Sequence, residues 1–276
     1  MRVTLWGTRG SIASAGPETV AYGGNTSCVE VEAADGTLAI LDAGTGIRRA
    51  GARLRGPRRL DVLLTHLHMD HIQGLGFFAP LFDPDFEVHI WGPPSTTLDL
   101  RSRLSRYLSP PLFPVRLRDV ECALSLHDVT SEPFRIGGLE VRSEAVIHPG
   151  FSHGYRLDDG ASVVTYIPDH EPALVAQVAT RGDWMSGFGL AEGADMLIHD
   201  CQYTPAEYAG RIGWGHSRIQ DAVQLARVAG CRRLVTFHHD PAHDDASLDR
   251  MVDEGRRLAG DSLEILPGRE GTTWQL

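Results

Sequence analysis

The sequence predicts an α/β protein in which two β-sheets pack together with helices outside. Three observations lead there. Early apolar segments pair as a hairpin, later ones alternate with helical stretches, and several apolar runs end in an acid or a histidine. Runs of about five apolar, β-branched residues read as buried strands. Strands in this arrangement bury their faces against each other and against covering helices. The chain has 276 residues, and α/β and sandwich folds of roughly 200–250 residues are often single. With no linker, repeat or low-complexity tract to divide it, residues 1–276 are expected to form one domain.

Arg2 to Trp6 is the first strand. Gly7-Thr8-Arg9-Gly10-Ser11 follows as a tight loop whose glycines permit close backbone approach; a plain turn is the preferred role, a phosphate cradle the alternative. Gly23 to Ser27 is another turn. Cys28 to Ala33 and Thr37 to Leu41 make a hairpin across Ala34-Asp35-Gly36. Asp42 to Gly46 leads into a helix at Ile47 to Leu54. Asp42 either caps that turn or orients a metal-binding histidine from behind. Leu60 to Leu64 is a strand, and a second apolar run spans Ile72 to Phe82. Glu87 to Trp91 is a strand. Leu98 to Tyr107 has helical spacing, with Arg101, Arg103 and Arg106 expected on a solvated face. Ser109 to Pro114 is an exposed proline-rich loop. Strands follow near Val120 to Leu124, Leu139 to Ile147, Ser162 to Ile167, Met196 to Ile198 and Leu234 to Phe237, with a helix over Ser217 to Val228.

Apolar residues make up 42% of the chain, enough for a sizeable core, and the net charge is 26 − 36 = −10. An acidic protein lacks the basic footprint of a nonspecific nucleic-acid binder, although bound metal ions would add local positive charge for a small anion. The four cysteines form no C-x-x-C pair and read as free buried thiols of a reducing compartment. With no signal-peptide pattern and no apolar run near ~18 residues, a cytoplasmic location and no membrane contact are expected.

The chemistry centres on Thr65-His66-Leu67-His68-Met69-Asp70-His71, at the C-terminal end of a strand, a usual place for sites in α/β folds. His66, His68, Asp70 and His71 can all bind metal. Imidazole suits zinc, while carboxylate suits zinc, manganese or magnesium. Other strand ends supply His148, Asp169 and His238. We assign His66, His68 and His148 to one metal and Asp70, His71 and His238 to a second, with Asp169 bridging. Two metals ~3.5–4 Å apart can clamp an in-line phosphoryl displacement. His239 competes with His238, and His170 with Asp169, because neighbouring strand side chains point oppositely. His216, in Gly213-Trp214-Gly215-His216-Ser217, is expected on an exposed loop as a general acid; a capping or packing role is its alternative. Asp70 is counted with His216 as catalytic. His199 and Asp200 are either supporting partners or turn residues. His153 and His243 are expected on the surface, with substrate contact as the alternative, and His89 and His127 as structural. Trp184, Phe188 and the Ser109 to Pro114 loop are candidates for lining the pocket.

The segment His66-Leu67-His68-Met69-Asp70-His71 resembles the H-x-H-x-D-H signature of the metallo-β-lactamase superfamily. The order of the remaining residues is similar to its phosphodiesterase branch, which includes the RNase Z enzymes and cyclic-nucleotide phosphodiesterases. In that branch a His, a bridging Asp and a final His follow, matching His148, Asp169 and His238, and a G-H-S segment supplies a catalytic His, matching His216. The resemblance runs from Gly7-Thr8-Arg9-Gly10-Ser11 to His238-His239-Asp240-Pro241 and is strongest to bacterial cyclic-nucleotide phosphodiesterases, including the anti-Pycsar enzymes. It implies a four-layer αββα sandwich, two divalent ions per chain (zinc, with manganese as the alternative), and a homodimer whose partner can complete the nucleobase pocket. The implied reaction converts 3′,5′-cyclic mononucleotides to nucleoside monophosphates. Alternatives are another small cyclic phosphodiester and tRNA 3′-end cleavage. The missing basic arm and the acidic balance weigh against tRNA. A lactonase, an iron-dependent redox protein on the same fold and a noncatalytic metal-stabilised module complete the alternatives; a structural zinc site is normally closed by four ligands.

Overall fold

The computed structural model describes residues 1–56, 58–172 and 185–276. Among these, two seven-stranded sheets form. The first contains β1 (Arg2–Gly7), β2 (Cys28–Glu32), β3 (Leu38–Leu41), β4 (Arg58–Leu63), β5 (Phe86–Gly92) and β6 (Ala123–Asp128), in that order. The second contains β7 (Phe134–Ile136), β8 (Leu139–Val146), β9 (Ser152–Asp158), β10 (Val163–Ile167), β11 (Met196–Asp200), β12 (Arg233–Phe237) and β13 (Glu264–Leu266). The last strand, β14 (Thr273–Gln275), returns to the first sheet antiparallel to β1. Each sheet is antiparallel at first and then parallel, from β3 to β6 in one and from β10 to β13 in the other.

Side chains alternate across each strand, and in the central strands β3, β4, β10, β11 and β12 both faces are buried. In β4, Leu60 and Val62 face the outer helices while Leu63 joins the inner core. In β12, Leu234 faces outward and Val235 and Phe237 inward. The inner layer joins Val3, Val29, Val31 and Leu41 of one sheet to Val141, Leu157, Val164 and Ile198 of the other. Outside the first sheet lie α1 (Ile47–Arg53), α2 (Met69–Ile72) and α3 (Leu100–Leu104); outside the second lie α4 (Phe188–Ala191), α5 (Pro205–Tyr208), α6 (Ile219–Val228) and α7 (Asp245–Ala259). Asp244 caps α7 by accepting from the Ser247 amide, satisfying a donor the helix leaves open. The expected α/β architecture, an αββα sandwich, is the one observed.

Several local expectations shift. The helix expected over Leu98 to Tyr107 is only Leu100–Leu104, started by an Asp99 cap that accepts from the Ser102 amide. The strand expected at Val120 to Leu124 lies at Ala123–Asp128, with a 3-10 turn at Leu117–Asp119 before it. The apolar run after the histidine motif folds as α2 and two 3-10 turns, Leu75–Phe77 and Ala79–Phe82. All four cysteines are free and buried. Among the described residues no helix is long and apolar enough to cross a membrane. Trp184 lies outside the described residues.

Candidate metal centre

The loops after β4, β8, β10, β11 and β12 meet at one end of the sandwich. After β4 the chain bends at Thr65 and runs without helix to His68, whose φ of −65° and ψ of 152° place it, extended, at the N-cap of α2. His66 and His68 therefore precede the helix, whereas Asp70 and His71 come from its first turn. His148 follows β8, Asp169 follows β10 and His238 follows β12. Their donor atoms gather in overlapping groups, each within 4.8 Å: His66, His68, His148 and Asp169; Asp70, His71 and His238; and Asp169, His216 and His238. Asp169 belongs to the first and third groups, and its two oxygens face the histidines of both the first and the second. Its Oδ2 lies 3.7 Å from His66 Nε2 and 3.9 Å from His148 Nε2, and its Oδ1 lies 3.0 Å from His71 Nε2 and 3.3 Å from His238 Nε2.

These residues fit a pair of divalent ions. His66 Nε2 and Asp169 Oδ1 are buried without a hydrogen bond, an arrangement that is costly unless something else satisfies them. The opposite nitrogens of four histidines are already held. His66 Nδ1 meets the Thr65 hydroxyl at 3.1 Å, His71 Nδ1 meets Asp42 Oδ2 at 2.8 Å, His148 Nδ1 meets the Gly215 carbonyl at 3.0 Å, and His238 Nδ1 meets Gln202 Oε1 at 2.8 Å. Such partners fix tautomer and ring direction for metal-binding histidines. Burial, with the neighbouring His71, holds His66 well below its usual pKa and so in the neutral ligand form. For Asp169, burial opposes ionisation, but His238, His71 and His66 outweigh it and keep the carboxyl well below its usual range.

Asp42 does more than cap a turn. Fully buried, it accepts from the Thr65 amide at 2.8 Å, from the Thr65 hydroxyl and from the Tyr166 hydroxyl at 2.9 Å, besides meeting His71. Asp42 and His238 both have positive φ, 59° and 56°. Non-glycine residues in that region cost energy and cluster at functional sites. The Gly7 to Ser11 loop is likewise more than a plain turn, because the Ser11 amide donates to Asp70 Oδ2 at 2.7 Å. Gly10 packs so tightly that a Cβ would lie 2.4 Å from the His238 ring. Gln202, Tyr166 and Thr65 support the site without being marked by any of the sequence motifs. Gln202 shows the available signal, a polar residue just past the end of β11 like the others.

His216 is nearly covered rather than on an exposed loop, with 12% of its side chain accessible. Its ring stacks on His238, centroids 4.9 Å apart, and its Nδ1 meets Asp200 Oδ2 at 2.7 Å. That leaves Nε2 for the site. Burial disfavours the imidazolium, but Asp200 outweighs it by charge and hydrogen bond, with Asp169 and Asp70 adding, so His216 is raised to about 9. Asp200 is held in turn by the amides of Gln202, Ser217 and His170 at 2.9, 3.2 and 3.2 Å. His170 points away from the cluster to His199 Nε2 at 2.9 Å, and His239 turns to the Gly268 carbonyl at 2.9 Å, leaving Asp169 and His238 at the centre.

Other expectations need correction. His153 and His243 are buried, not on the surface. His153 is engaged by Ser143 at 2.8 Å and His243 by Glu207 at 2.9 Å, contacts across strands and helices that sequence spacing does not reveal. His89 and His127 stack on each other, away from the centre. Phe188 packs into the outer core of the second sheet instead of lining a pocket. Arg103 and Arg106 are not simply a solvated face. With Tyr107, Leu112 and Phe151 they line a cleft of about 450 Å³ that opens beside His66 and His68. A larger cleft of about 520 Å³ between α5, α6 and α7 contains none of the clustered ligands, so the chemistry is assigned to the smaller one.

The family model described as a beta-lactamase superfamily domain matches residues 39–239. Ribonuclease Z of Haloarcula marismortui is 27% identical over 93% of this chain and 91% of its own length. Among solved structures, the metallo-beta-lactamase fold protein YhfI of Bacillus subtilis superposes with a TM-score of 0.74 at 19% identity, over 99% of each chain. Human tRNase Z, short form, superposes with a TM-score of 0.69 at 19% identity, over 100% of this chain and 99% of its own. The chain belongs to the β-lactamase superfamily and is a metal-dependent hydrolase.

Proposed function

We propose that the chain hydrolyses a 3′,5′-cyclic mononucleotide to a nucleoside monophosphate. The observation that carries this reading is His216, held by Asp200 and close to Asp169 and His238. A protonated imidazole there has an obvious use when a poor leaving group such as a ribose oxygen must depart. Two divalent ions, one among His66, His68 and His148 and one among Asp70, His71 and His238, with Asp169 shared, would supply Lewis-acid charge to the phosphoryl oxygens and acidify water. The protein's own part follows from its hydrogen bonds. As water adds to phosphorus and the bond to the ribose oxygen breaks, His216 delivers its Nε2 proton to that oxygen. Asp200 stabilises the imidazolium before transfer and holds the ring in place. Asp70 Oδ2 is engaged by Ser11 and faces His238, and against burial His71 and His238 hold the carboxylate ionised, so the proton released by the incoming water passes to solvent.

The cleft beside His66 and His68 supports a small substrate, since about 450 Å³ suits a nucleotide. Arg103 and Arg106 bring positive charge, while Leu112 and Phe151 offer apolar surface to a base. Five imidazoles in the set of seven ligands favour zinc, and the family resemblance favours a homodimer in the cytoplasm. The specific observation for a second reading, tRNA 3′-end cleavage, is the similarity to ribonuclease Z; the net charge of −10 weighs against it. The test is a panel of cyclic mononucleotides, bis-p-nitrophenyl phosphate, a lactone and a precursor tRNA, each assayed with zinc or manganese. Cyclic mononucleotides should be turned over fastest. Turnover confined to the lactone, or to the precursor tRNA, would refute the proposal.

A further inference from the structure

We infer that Glu171 is a positioning residue that couples the metal ligand His148 to the proton donor His216. It acts through the backbone of residues 213–215, and its link to proton donation rests on the phosphodiesterase reading above. Glu171 lies two residues beyond Asp169 and is 2% exposed. Its carboxylate has no salt bridge with Arg, Lys or His among the described residues. Instead it accepts from the Gly213 amide at 3.0 and 3.1 Å, from the Gly215 amide at 2.9 Å and from the Tyr208 hydroxyl. A buried carboxylate without a cation is expensive for a fold to keep, and converging amides are a way to hold it.

What the carboxylate holds is the loop carrying both functions. The Gly215 carbonyl accepts from His148 Nδ1 at 3.0 Å, and the next residue is His216. The Glu171 amide donates to the Ile147 carbonyl at 3.0 Å, immediately before His148. Glu171 therefore grips the chain on both sides of the His148 ring. The loop cannot easily settle elsewhere. Gly215 has a φ of 88°, and a Cβ on it would lie 2.4 Å from His148 Nδ1 and 2.2 Å from Pro149. Loosening the grip should release His148 and His216 together. A Glu171→Gln amide would turn its NH2 group toward backbone N–H donors and break part of the set.

The test combines metal affinity with leaving-group dependence in the full-length protein. Chelator competition against zinc should show E171Q binding about 10–100-fold more weakly, the usual cost of losing support behind a ligand. His216→Ala should not weaken zinc binding to that extent. Turnover of a cyclic mononucleotide should fall on the order of 10²-fold or more, the scale of general acid catalysis. Turnover of bis-p-nitrophenyl phosphate, whose leaving group departs without a proton, should fall less. Tyr208→Phe removes one donor to Glu171 and should shift both readouts in the same direction by smaller factors, which keeps the test available if E171Q does not fold. Unchanged zinc affinity, or an equal fall for both substrates, in a folded variant would overturn the inference. If wild type cleaves no phosphodiester, the functional reading fails; the zinc measurement still decides whether Glu171 supports His148.

Discussion

Replacing Asp200 with Asn gives the most direct test of the proton donor. Asp200 Oδ2 lies 2.7 Å from His216 Nδ1, and Asp200, with Asp169 and Asp70 adding, raises His216 against burial from 6.5 to about 9, corresponding in all to about 3 kcal/mol. Asn keeps an oxygen for the Ser217 and Gln202 amides but loses the charge. Burial then acts unopposed by Asp200, with only Asp169 and Asp70 left to raise His216, so its pKa should fall. At pH 8 a group with pKa about 9 is roughly 90% protonated and one at the ordinary 6.5 roughly 3%, so the proton-donating fraction drops by up to about 30-fold. Bound divalent ions pull both values down by their own charge, so the wild-type limb will lie below 9, but the direction of the change is the same. The assay is the pH dependence of kcat for a cyclic mononucleotide at saturating metal. Wild-type kcat should fall as pH rises through the His216 pKa, and in Asp200→Asn this fall should begin at lower pH. The same pair contributes to stability. Because the folded pKa is raised, the contribution is fully present below about 6.5 and is lost as pH rises through about 9. An alkaline limb that stays in place in Asp200→Asn would refute the assignment of His216 as an Asp200-supported acid.

Asp169→Ala removes the carboxylate shared by both ligand groups, so metal analysis should find fewer than two ions per chain and turnover should collapse; two ions with full activity would exclude a bridging role. Asp42→Ala leaves His71, Tyr166 and Thr65 without their common acceptor, which should destabilise the fold by about 1–3 kcal/mol or more and weaken metal binding about 10–100-fold, as read by denaturant unfolding and chelator competition. Gly10→Ala forces a methyl group against the His238 ring, at a cost of about 1–3 kcal/mol in overpacking, and zinc titration should show the Asp70, His71 and His238 group weakened. Arg106→Ala should raise KM for cyclic mononucleotides several-fold with little change in kcat, because the guanidinium lines the cleft without reaching the ligand cluster.

The ligands were readable because they sit where apolar strands stop. Leu60 to Leu64, Ser162 to Ile167 and Leu234 to Phe237 are visible as runs, and the residue after each run marks the sheet edge. Alternation also framed the choice between His238 and His239, but only the turn at His238, with its φ of 56°, decides which ring faces the centre. Supporting residues were harder to find. Gln202 meets His238, Tyr166 meets Asp42 and Glu171 meets Gly213 across 36, 124 and 42 residues of chain. No local pattern encodes such distances. Arg103 and Arg106 misled for a related reason: helical spacing shows that they share a face, but not that the face borders a cleft. His153 and His243 resembled surface residues because their partners, Ser143 and Glu207, belong to other elements.

The division of the ligands between the two sheets has a further consequence. His66, His68, Asp70 and His71 follow a strand of the first sheet, whereas His148, Asp169 and His238 follow strands of the second. The two contributions meet only when the β-layers are docked face to face. Cations that require both sets would act as a latch across the seam, favouring the closed sandwich by mass action. A free concentration 100 times the dissociation constant adds about 2.7 kcal/mol for one site. Metal withdrawal should therefore lower the melting temperature and increase protease sensitivity along the seam between the layers.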